Sequence, residues 1–550
     1  MKLYKLFAVV VIAGGAASCG DLEVVNLNDP DRVRAISQPG DVEALISGSF
    51  SSWWSSGHYS RAGIMQSGMA DYWSSSWGNF AMRDMSSEPR IGWNNDPAYG
   101  NASNLRNTWR DIYRALSGVR DGILAIEGGV DLGEPLGSDN NRGLAFGAFV
   151  QGLALSRLAT TFDQGFIIDE ATSLDDPNAL PQLVPFTELY AEALVKFDKA
   201  ISLSGSGSFT VPSDWLGFGP SMSNTELGQL VHSFKARLMI EIARNPSERA
   251  AVNWNAVMSE VSAGITEDFG LEHDGVNWAW SRLHNRSGAN EGWGRSDYRW
   301  IGPADQSGRY QEWANITNVE LRTPFYIDTD DRRITAGDET SDGLYQKFYA
   351  GNSMRAERGT YHYSNYIDSR YRPHRLNNDI GTHVAMNVAE MDFIMAEGLF
   401  RTGNKQGAVD LINKYRVPNG ELPAVTLEGD QTARCVPRHA TTGACTDLWT
   451  ALMWDKRMEV YHSGAGSDFF DARGWGILVK DTPLQWPVPG SELDLLLMEI
   501  YSFGGPGGAS AAPNTSRGAI DPETIRWKRE ALEAYDAVVQ AEGKAGAVIH

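Results

Sequence analysis

Residues 388–416 read VAEMDFIMAEGLFRTGNKQGAVDLINKYR, and this stretch decides the fold class. Apolar side chains recur every three or four residues on both sides of Gly403-Asn404, which is the pattern of two amphipathic helices joined by a tight turn. The first stripe runs from Val388 to Leu399 and the second from Ala408 to Tyr415. A connection this short predicts an antiparallel helical hairpin.

The same helical period recurs in five successive segments upstream. We predict that they pack as hairpins of the tetratricopeptide type, in which each hairpin covers the apolar face of its neighbour. Small residues such as Gly152 predict close contacts between these helices. The expected fold class is therefore mostly α, with tetratricopeptide-like helical hairpins, long irregular loops and few short strands. The five segments run from Trp109 to Ile126, Gly143 to Phe162, Thr187 to Leu203, Ser223 to Ile242 and Trp254 to Ile265.

Composition indicates a globular body that does not bind nucleic acid. Hydrophobic residues make up 42% of the 550 residues, which is enough for a large core. The formal net charge of −21 repels phosphate backbones and anionic lipid headgroups. Any attachment to a membrane is therefore expected to use a lipid rather than a basic surface.

The N-terminal residues have the features of a lipoprotein signal. Two lysines precede an apolar run from Leu6 to Ile12, and the small residues Ala16-Ala17-Ser18 stand directly before Cys19. The apolar run is too short to cross a bilayer. We predict that residues 1–18 are a signal peptide and that Cys19 carries the lipid, palmitate included. The alternative is an ordinary secretory peptide in which a cysteine lies near the cut by chance.

Beyond the signal, the chain divides into four predicted parts. Residues 19–40 are polar, with several Asn and Pro, and suit an extended tether. Residues 41–503 form the helical body, with further helices from Asp41 to Trp53 and from Asp447 to Tyr461. Residues 504–520 are a Gly/Ala/Pro/Ser linker, and residues 521–550 are expected to form a C-terminal helix.

The two remaining cysteines are close in the sequence. In an oxidising, exported setting Cys435 and Cys445 predict a local disulfide. Zinc is the alternative, because His439 lies between them. No fourth ligand stands at zinc-finger spacing, so we expect no metal and no other cofactor.

Two aromatic-rich stretches, from Gly57 to Asn107 and from Glu267 to Gly381, follow no regular period. Aromatic rings among Gly, Asn and Ser residues are a candidate binding surface, because sugars stack on rings and pair their hydroxyls with polar side chains. The alternative is that long loops use large side chains to hold themselves in place. Peptides would use the same surfaces. The predicted ligand-binding residues are Trp73, Trp77, Asn79, Trp93, Asn95, Trp293, Tyr298, Trp300 and Trp313.

Catalytic motifs are missing from the sequence, so we expect a protein that is not an enzyme. There is no G-x-S-x-G elbow, H-E-x-x-H pair, Walker loop or dinucleotide fingerprint. A glycosidase needs two carboxylates across a sugar cleft, and no pair is singled out. Asp328, Asp330 and Asp331 lack the spacing of a calcium loop and predict a solvated turn.

Five motifs follow one another in a recognisable order. They are the Asn-rich tether after Cys19, Leu45 to Phe50, Ala389-Glu390-Met391 through Arg416, Lys456 to Val460 with Asp471 and Arg473-Gly474-Trp475-Gly476, and Pro483 to Pro489 with Glu492-Leu493. In this order they resemble the SusD/RagB family of surface lipoproteins. The chain departs from the family at Lys456, Ser463 and Asp468, which predicts a rewired arrangement of buried charges around that turn.

The resemblance implies a lipid-anchored, surface-facing protein of the cell outer membrane. Such a protein captures glycan or peptide nutrients and delivers them, as a lid, to a TonB-dependent transporter of the SusC/RagA type. Two other functions stay open. One is a secreted glycan-active hydrolase, and the other is a scaffold for an outer-membrane complex that binds no ligand itself.

Overall fold

The computed structural model describes residues 38–59, 62–75, 79–133, 138–173, 181–217, 220–274, 294–350 and 364–506. The predicted signal peptide, Cys19 and the predicted C-terminal helix lie outside the described residues, as does most of the predicted tether. Within these ranges, no helix has both the length and the apolar character that crossing a membrane requires.

Helices dominate the described chain, which confirms the predicted fold class. They are α1 Pro39–Trp54, α2 Ala62–Met69, α3 Met82–Met85, α4 Ser103–Glu127, α5 Ser138–Thr161, α6 Phe186–Ser204, α7 Asn224–Glu241, α8 Pro246–Ala250, α9 Trp254–Ser262, α10 Tyr298–Ile301, α11 Arg309–Ala314, α12 Arg372–Leu376, α13 Val388–Arg401, α14 Lys405–Gly420, α15 Leu448–Val460, α16 Ser467–Trp475 and α17 Gly490–Leu495.

The long helices pack in a continuous succession. Helix α1 lies on α4, α4 on α5, α5 on α6 and α6 on α7, after which α9 joins α7 to α13 and α13 packs on both α14 and α15. The apolar residues of these helices form most of one large buried cluster. This succession is the arrangement of hairpins that the periodicity predicts.

The hairpin of α13 and α14 begins and turns where the sequence indicates. The Asn387 side chain caps α13 by accepting a hydrogen bond from the Glu390 amide, and Asn404 caps α14 in the same way from the Gly407 amide. The apolar stripes face each other, with Phe393 of α13 and residues of α14 in one buried cluster.

The small residues of α5 allow a close helix contact. A Cβ atom at Gly152 would lie 2.5 Å from the ring of Phe197 on α6, a distance that no real side chain tolerates. The glycine therefore lets the two helices approach and bury the ring between them.

Strands are short and occur only in pairs among the described residues. The antiparallel pairs are β1 Trp73–Ser74 with β7 Arg295–Ser296, β2 Gln164–Gly165 with β3 Val184–Pro185, β4 Thr210–Val211 with β5 Met222–Ser223, β6 Phe269–His273 with β10 Gly381–Met386, and β8 Gln346–Phe348 with β9 Tyr366–Asp368. These pairs join segments of the chain that lie between the helices.

The segment from Gly57 to Asn107 is more regular than predicted. It contains helix α2, all of whose residues are buried. A helix that is buried on every side has no polar stripe, so the amphipathic period that reveals other helices is missing here.

Buried ion pairs lock the C-terminal helices together. Arg249 of α8 contacts Glu397 of α13 at 2.7 Å and Asp471 of α16 at 3.0 Å, and Lys456 of α15 contacts Asp471 at 2.6 Å. The Trp475 indole donates a further hydrogen bond to Glu397. These charges are shielded from water, so each depends on its partners for stabilisation.

The three departures from the family pattern take part in this interior. Lys456 pairs with Asp471, the Ser463 hydroxyl donates to Glu390 at 2.8 Å, and Asp468 accepts from the Ser67 hydroxyl at 3.0 Å. Burial raises the pKa of Asp468 to about 7. The turn therefore contains satisfied polar side chains at all three positions.

Candidate functional site

The structure describes six of the predicted ligand-binding side chains. Two of them, Trp73 and Trp300, contact each other in the core. Trp73 and Trp300 are fully buried, with ring centroids 5.3 Å apart in an edge-to-face arrangement. The Trp73 indole also donates to His462, and Trp300 packs on Tyr461 at 4.7 Å. These two tryptophans join the first aromatic stretch to the second and to the end of α15.

A second pair, Tyr298 and Trp313, lies in the same core, with ring centroids 5.3 Å apart. The ring of Tyr298 stacks on Phe325 at 4.1 Å, and the Arg322 guanidinium lies 4.4 Å from the centre of the Trp313 ring. The pair holds the chain after α10 against α11.

Trp93 and Asn95 hold the closing segment of the body. Trp93 packs on Trp486 with centroids 5.0 Å apart, and its indole donates to the Asn95 amide oxygen at 3.3 Å. The Asn95 amide nitrogen donates to the carbonyls of Val488 and Tyr501, both at 2.9 Å. Both side chains are buried.

The structure therefore corrects the prediction for Trp73, Trp93, Asn95, Tyr298, Trp300 and Trp313: none of them offers a surface on which a ligand can stack. The physical reason is that irregular segments lack the apolar stripes of helices, so their large rings provide the core instead. Trp77 and Trp293 lie outside the described residues. Asn79 begins the one-turn 3₁₀ helix Asn79–Ala81, and its side chain is also outside the description.

The structure places Cys435 and Cys445 in a disulfide, with Cα atoms 5.7 Å apart. Among the described residues, no three metal-ligating side chains converge on one point. The bridge closes a loop next to Arg434, on the face that carries the exposed aromatic residue described next.

Among the described residues of the second stretch, Tyr326 is the exposed aromatic residue, with 41% of its surface accessible. Its ring lies 5.7 Å from Phe348 on β8, and Phe348 in turn packs edge-on against the buried Tyr366 of β9. The exposed ring is therefore backed by a rigid stack. We call Tyr326, Phe348, Arg309, Glu339, Asp342 and Lys347 the Tyr326 surface.

The backbone around Tyr326 explains why its ring faces outward. The Tyr298 hydroxyl donates to the Phe325 carbonyl and accepts from the Phe325 amide at 2.7 Å. This fixes Phe325 toward the core, and successive side chains of an extended chain point in opposite directions. Ile327 is buried again, so Tyr326 projects to solvent between two anchored neighbours.

Two exposed ion pairs flank the rings. Arg309 contacts Glu339 at 2.8 Å and also donates to the Tyr326 carbonyl, while Lys347 contacts Asp342 at 2.6 Å. Asp342 accepts a hydrogen bond from the Phe348 amide at 2.9 Å, which ties this pair to the ring stack. One ion pair is thus tied to Tyr326 and the other to Phe348.

Further charged side chains lie between the Tyr326 surface and the disulfide loop. Arg434 contacts Asp328 at 3.0 Å and Asp330 at 2.8 Å. The hydrogen bond from Arg434 lowers the pKa of Asp330, and the bond to Glu339 raises the pKa of Arg309, so both stay charged at neutral pH. The predicted solvated turn fits Asp328 and Asp330 but is wrong for Asp331, which is fully buried.

Asp331 is buried because it pairs with a buried arginine beneath the segment that carries Tyr326. It holds Arg333 through two hydrogen bonds of 2.8 Å each, and Arg333 also contacts Asp455 of α15 at 2.8 Å. This buried group fixes the base of the segment that carries Tyr326, which supports a preformed surface.

Sequence reasoning missed the Tyr326 surface as a site. Tyr326 and Phe348 belong to the aromatic stretch that composition singles out, but nothing in the local pattern separates the exposed ring from the buried ones. The available signal is the run of charged residues on either side, which becomes meaningful only when the fold brings Arg309 and Glu339 together.

No family model and no curated protein sequence matches the chain. The arrangement of helices defines it as a mostly helical protein of tetratricopeptide-like hairpins. Solved structures define the fold further. A SusD homolog from Bacteroides thetaiotaomicron VPI-5482 matches with a TM-score of 0.53 at 12% identity, over 86% of this chain and 98% of that one.

Two other structures give the same result. A SusD superfamily protein from Bacteroides vulgatus ATCC 8482 has a TM-score of 0.52 at 12% identity, over 84% of this chain and 97% of that chain. A SusD-like protein from Bacteroides fragilis NCTC 9343 has a TM-score of 0.51 at 13% identity, over 80% and 87%. The chain has a SusD/RagB-like fold, and the resemblance seen in its motifs is confirmed at the level of the fold.

Proposed function

We propose that the chain binds oligosaccharides at the Tyr326 surface and acts as a lipid-anchored capture protein of the outer membrane. In this proposal it passes its ligand, as a lid, to a TonB-dependent transporter. The observation that carries the binding step is an exposed, rigidly backed tyrosine ring between two exposed ion pairs, on a SusD-like fold.

The chemistry of the surface suits a sugar. The apolar face of a pyranose ring stacks on an aromatic ring, and Tyr326 offers one that is backed by Phe348. Sugar hydroxyls both donate and accept hydrogen bonds. The pairs Arg309–Glu339 and Lys347–Asp342 supply cationic donors and anionic acceptors at the edges of that ring.

The surface favours binding over hydrolysis. A glycosidase directs a protonated carboxyl group and a second carboxylate at one glycosidic bond. On the Tyr326 surface the two carboxylates, Glu339 and Asp342, are each engaged by a cation at 2.8 and 2.6 Å. We therefore propose a binding protein rather than a hydrolase.

Two other features, the lipoprotein motif and the fold, support the proposed membrane anchoring of the protein and delivery of its ligand. The lipoprotein motif ending in Cys19 supports attachment through a lipid, and the SusD-like fold supports a place beside a transporter. The predicted tether that follows Cys19 would let the body swing away from the transporter while its anchor stays in the membrane.

The ligand class is tested with oligosaccharide and peptide arrays probed with the purified full chain. We expect oligosaccharides to be retained and peptides to wash off, with no shortening of the retained glycans over hours. Retention of peptides alone would overturn the ligand class, and release of shorter sugars would overturn the non-catalytic part. If neither array binds while the chain co-purifies with a transporter, the scaffold function replaces capture.

A further inference from the structure

A cavity of about 350 Å³ lies beside the C-terminal end of α16. Its wall is formed by the connection between α7 and α8, by the turn that follows α16, and by the chain at residues 503–505. Two arginines on this wall, Arg244 and Arg473, are buried. The volume is in the range of pockets that bind small molecules.

Both guanidinium groups are bonded to backbone carbonyls. Arg244 donates to three carbonyls at the end of α5, and Arg473 donates to four carbonyls at the ends of α5 and α7 and in the turn after α16. They share the Thr160 carbonyl, which brings two positive charges to one acceptor. The acceptors are Ala159, Thr160 and Phe162 for Arg244, and Thr160, Glu241, Ala243 and Leu484 for Arg473.

Within the described ranges, neither guanidinium group forms an ion pair with a carboxylate, although the Arg244 backbone amide donates to Glu248 at 2.6 Å. Other buried arginines do, as shown by Arg249, Arg333 and Arg416, whose closest carboxylate oxygens lie at 2.7 to 2.8 Å. Burial lowers the pKa of Arg244 to about 9 and lowers that of Arg473 as well. Among the described residues, these two charges therefore lack the close carboxylate partners of Arg249, Arg333 and Arg416, as does the buried Arg157, which bonds to the Ala465 carbonyl.

Three carboxylates act on the pair from a distance, without forming ion pairs with it. They are Asp163, Glu241 and Glu248. Burial raises the pKa of Asp163 and of Glu241 to about 7 each, so both are partly protonated at neutral pH and offset the positive charge incompletely.

The helix ends and the other charged side chains of the wall also act on the two guanidinium groups. Each helix C-terminus carries about half a negative charge, so the ends of α5 and α7 offset about one of the two guanidinium charges. Lys480 and Asp481, both on the cavity wall, cancel each other. With the charges of Asp163, Glu241 and Glu248 added, positive charge is not in excess beside the cavity, so a bound anion would be held by hydrogen bonds from the arginines.

Unused donors are also present. A guanidinium has five N–H groups, and Arg473 uses four of them and Arg244 three. One of the unused groups is Arg244 Nε, which is buried and has no hydrogen-bond partner. An unpaired buried donor next to a cavity is a position where a ligand oxygen gains a hydrogen bond.

We propose that this cavity binds a small oxyanion, namely a carboxylate, phosphate or sulfate group, on Arg244 and Arg473. The site is separate from the Tyr326 surface, and the proposal does not depend on glycan capture. A planar guanidinium matches the oxygen spacing of these groups, and a bound anion would accept hydrogen bonds from the unused donors, Arg244 Nε among them.

The test measures thermal stabilisation and calorimetric binding with the purified full chain. The probes are inorganic phosphate, sulfate and glucuronate, with chloride at the same ionic strength and glucose as controls. We expect at least one of the oxyanions to bind, and neither chloride nor glucose to stabilise the protein. Binding of phosphate or sulfate would indicate a free inorganic ion as the ligand, and binding of glucuronate would indicate an acidic sugar. Equal effects of oxyanions and chloride would overturn the proposal.

Three variants that keep Arg244 and Arg473 test whether the anion binds in this cavity. Asp481→Asn removes the acidic group on the wall and should tighten binding about three- to tenfold, while Lys480→Ala should weaken it by a similar factor. Asp481 has a φ of 69°, a conformation that Asn also tolerates, so this variant should fold. Leu478→Trp should block the cavity and abolish binding. Unchanged affinity in all three variants would place the anion elsewhere and overturn the site.

Discussion

Replacing Glu397 with Gln tests whether the buried ion pairs hold the C-terminal helices together. Glu397 is fully buried and accepts hydrogen bonds from Arg249, Arg401 and Trp475. Burial, the largest single effect, would raise its pKa, but the charges of Arg249, Lys456 and Arg401 and the hydrogen bonds from Arg249 together outweigh it and lower the pKa from 4.5 to about 2. The difference corresponds to about 3 kcal/mol of folding free energy at neutral pH.

The sign follows from the direction of the pKa. Because the pKa of Glu397 is lower in the folded state, its contribution is complete above pH 4.5 and disappears as the pH falls toward 2. Glu397→Gln also leaves Arg249 and Lys456 to share Asp471, so two buried cations face one carboxylate. We expect the free energy of unfolding to fall by about 3 kcal/mol at pH 7.

Urea denaturation followed by tryptophan fluorescence measures this change. The matched control is Glu312→Gln, which makes the same substitution at an exposed position of α11 and should change the free energy by less than about 0.5 kcal/mol. The difference between wild type and Glu397→Gln should shrink between pH 4.5 and pH 2. A Glu397→Gln protein as stable as wild type at pH 7 would refute the role of the pairs.

Three further predictions concern other parts of the chain. Trp300→Ala should lower the free energy of unfolding by about 3–5 kcal/mol, because its ring is core, and denaturation that shows no loss would contradict that placement. Burial lowers the pKa of His273 from 6.5 to about 4. As the pH falls from 6.5 to 4, the free energy of unfolding of wild type should therefore drop by about 3 kcal/mol relative to that of His273→Gln. Parallel pH profiles of the two proteins would count against this. Cys19→Ser should abolish palmitate labelling and release the protein from membranes, and labelling that persists would rule out Cys19 as the anchor.

The helices were predictable because each buries one stripe and exposes another. The segment from Trp109 to Ile126 lies within α4, which begins six residues earlier at Ser103 and ends one residue later, and Asn404 marks the start of α14. Helix α2 was not predictable, since it is buried on all sides and carries no polar stripe.

The site was less predictable than the fold. Composition identifies aromatic stretches, but exposure is decided by contacts between distant residues, which no local pattern records. Trp73 and Trp300 look like ligand-stacking residues in the sequence and are buried against each other in the structure. Tyr326 is exposed because Tyr298 holds its neighbour Phe325 toward the core.

The most direct measurement of the central claim is calorimetric titration of an array-selected oligosaccharide into wild type and Tyr326 variants. Tyr326→Ala removes the stacking ring and should weaken binding about tenfold, which corresponds to about 1.4 kcal/mol. Tyr326→Phe keeps the ring and should bind nearly as well as wild type. Tyr59→Ala, which changes a tyrosine of similar exposure (39%) at another position, should have no effect. Equal affinity of Tyr326→Ala and wild type would contradict glycan capture at this surface.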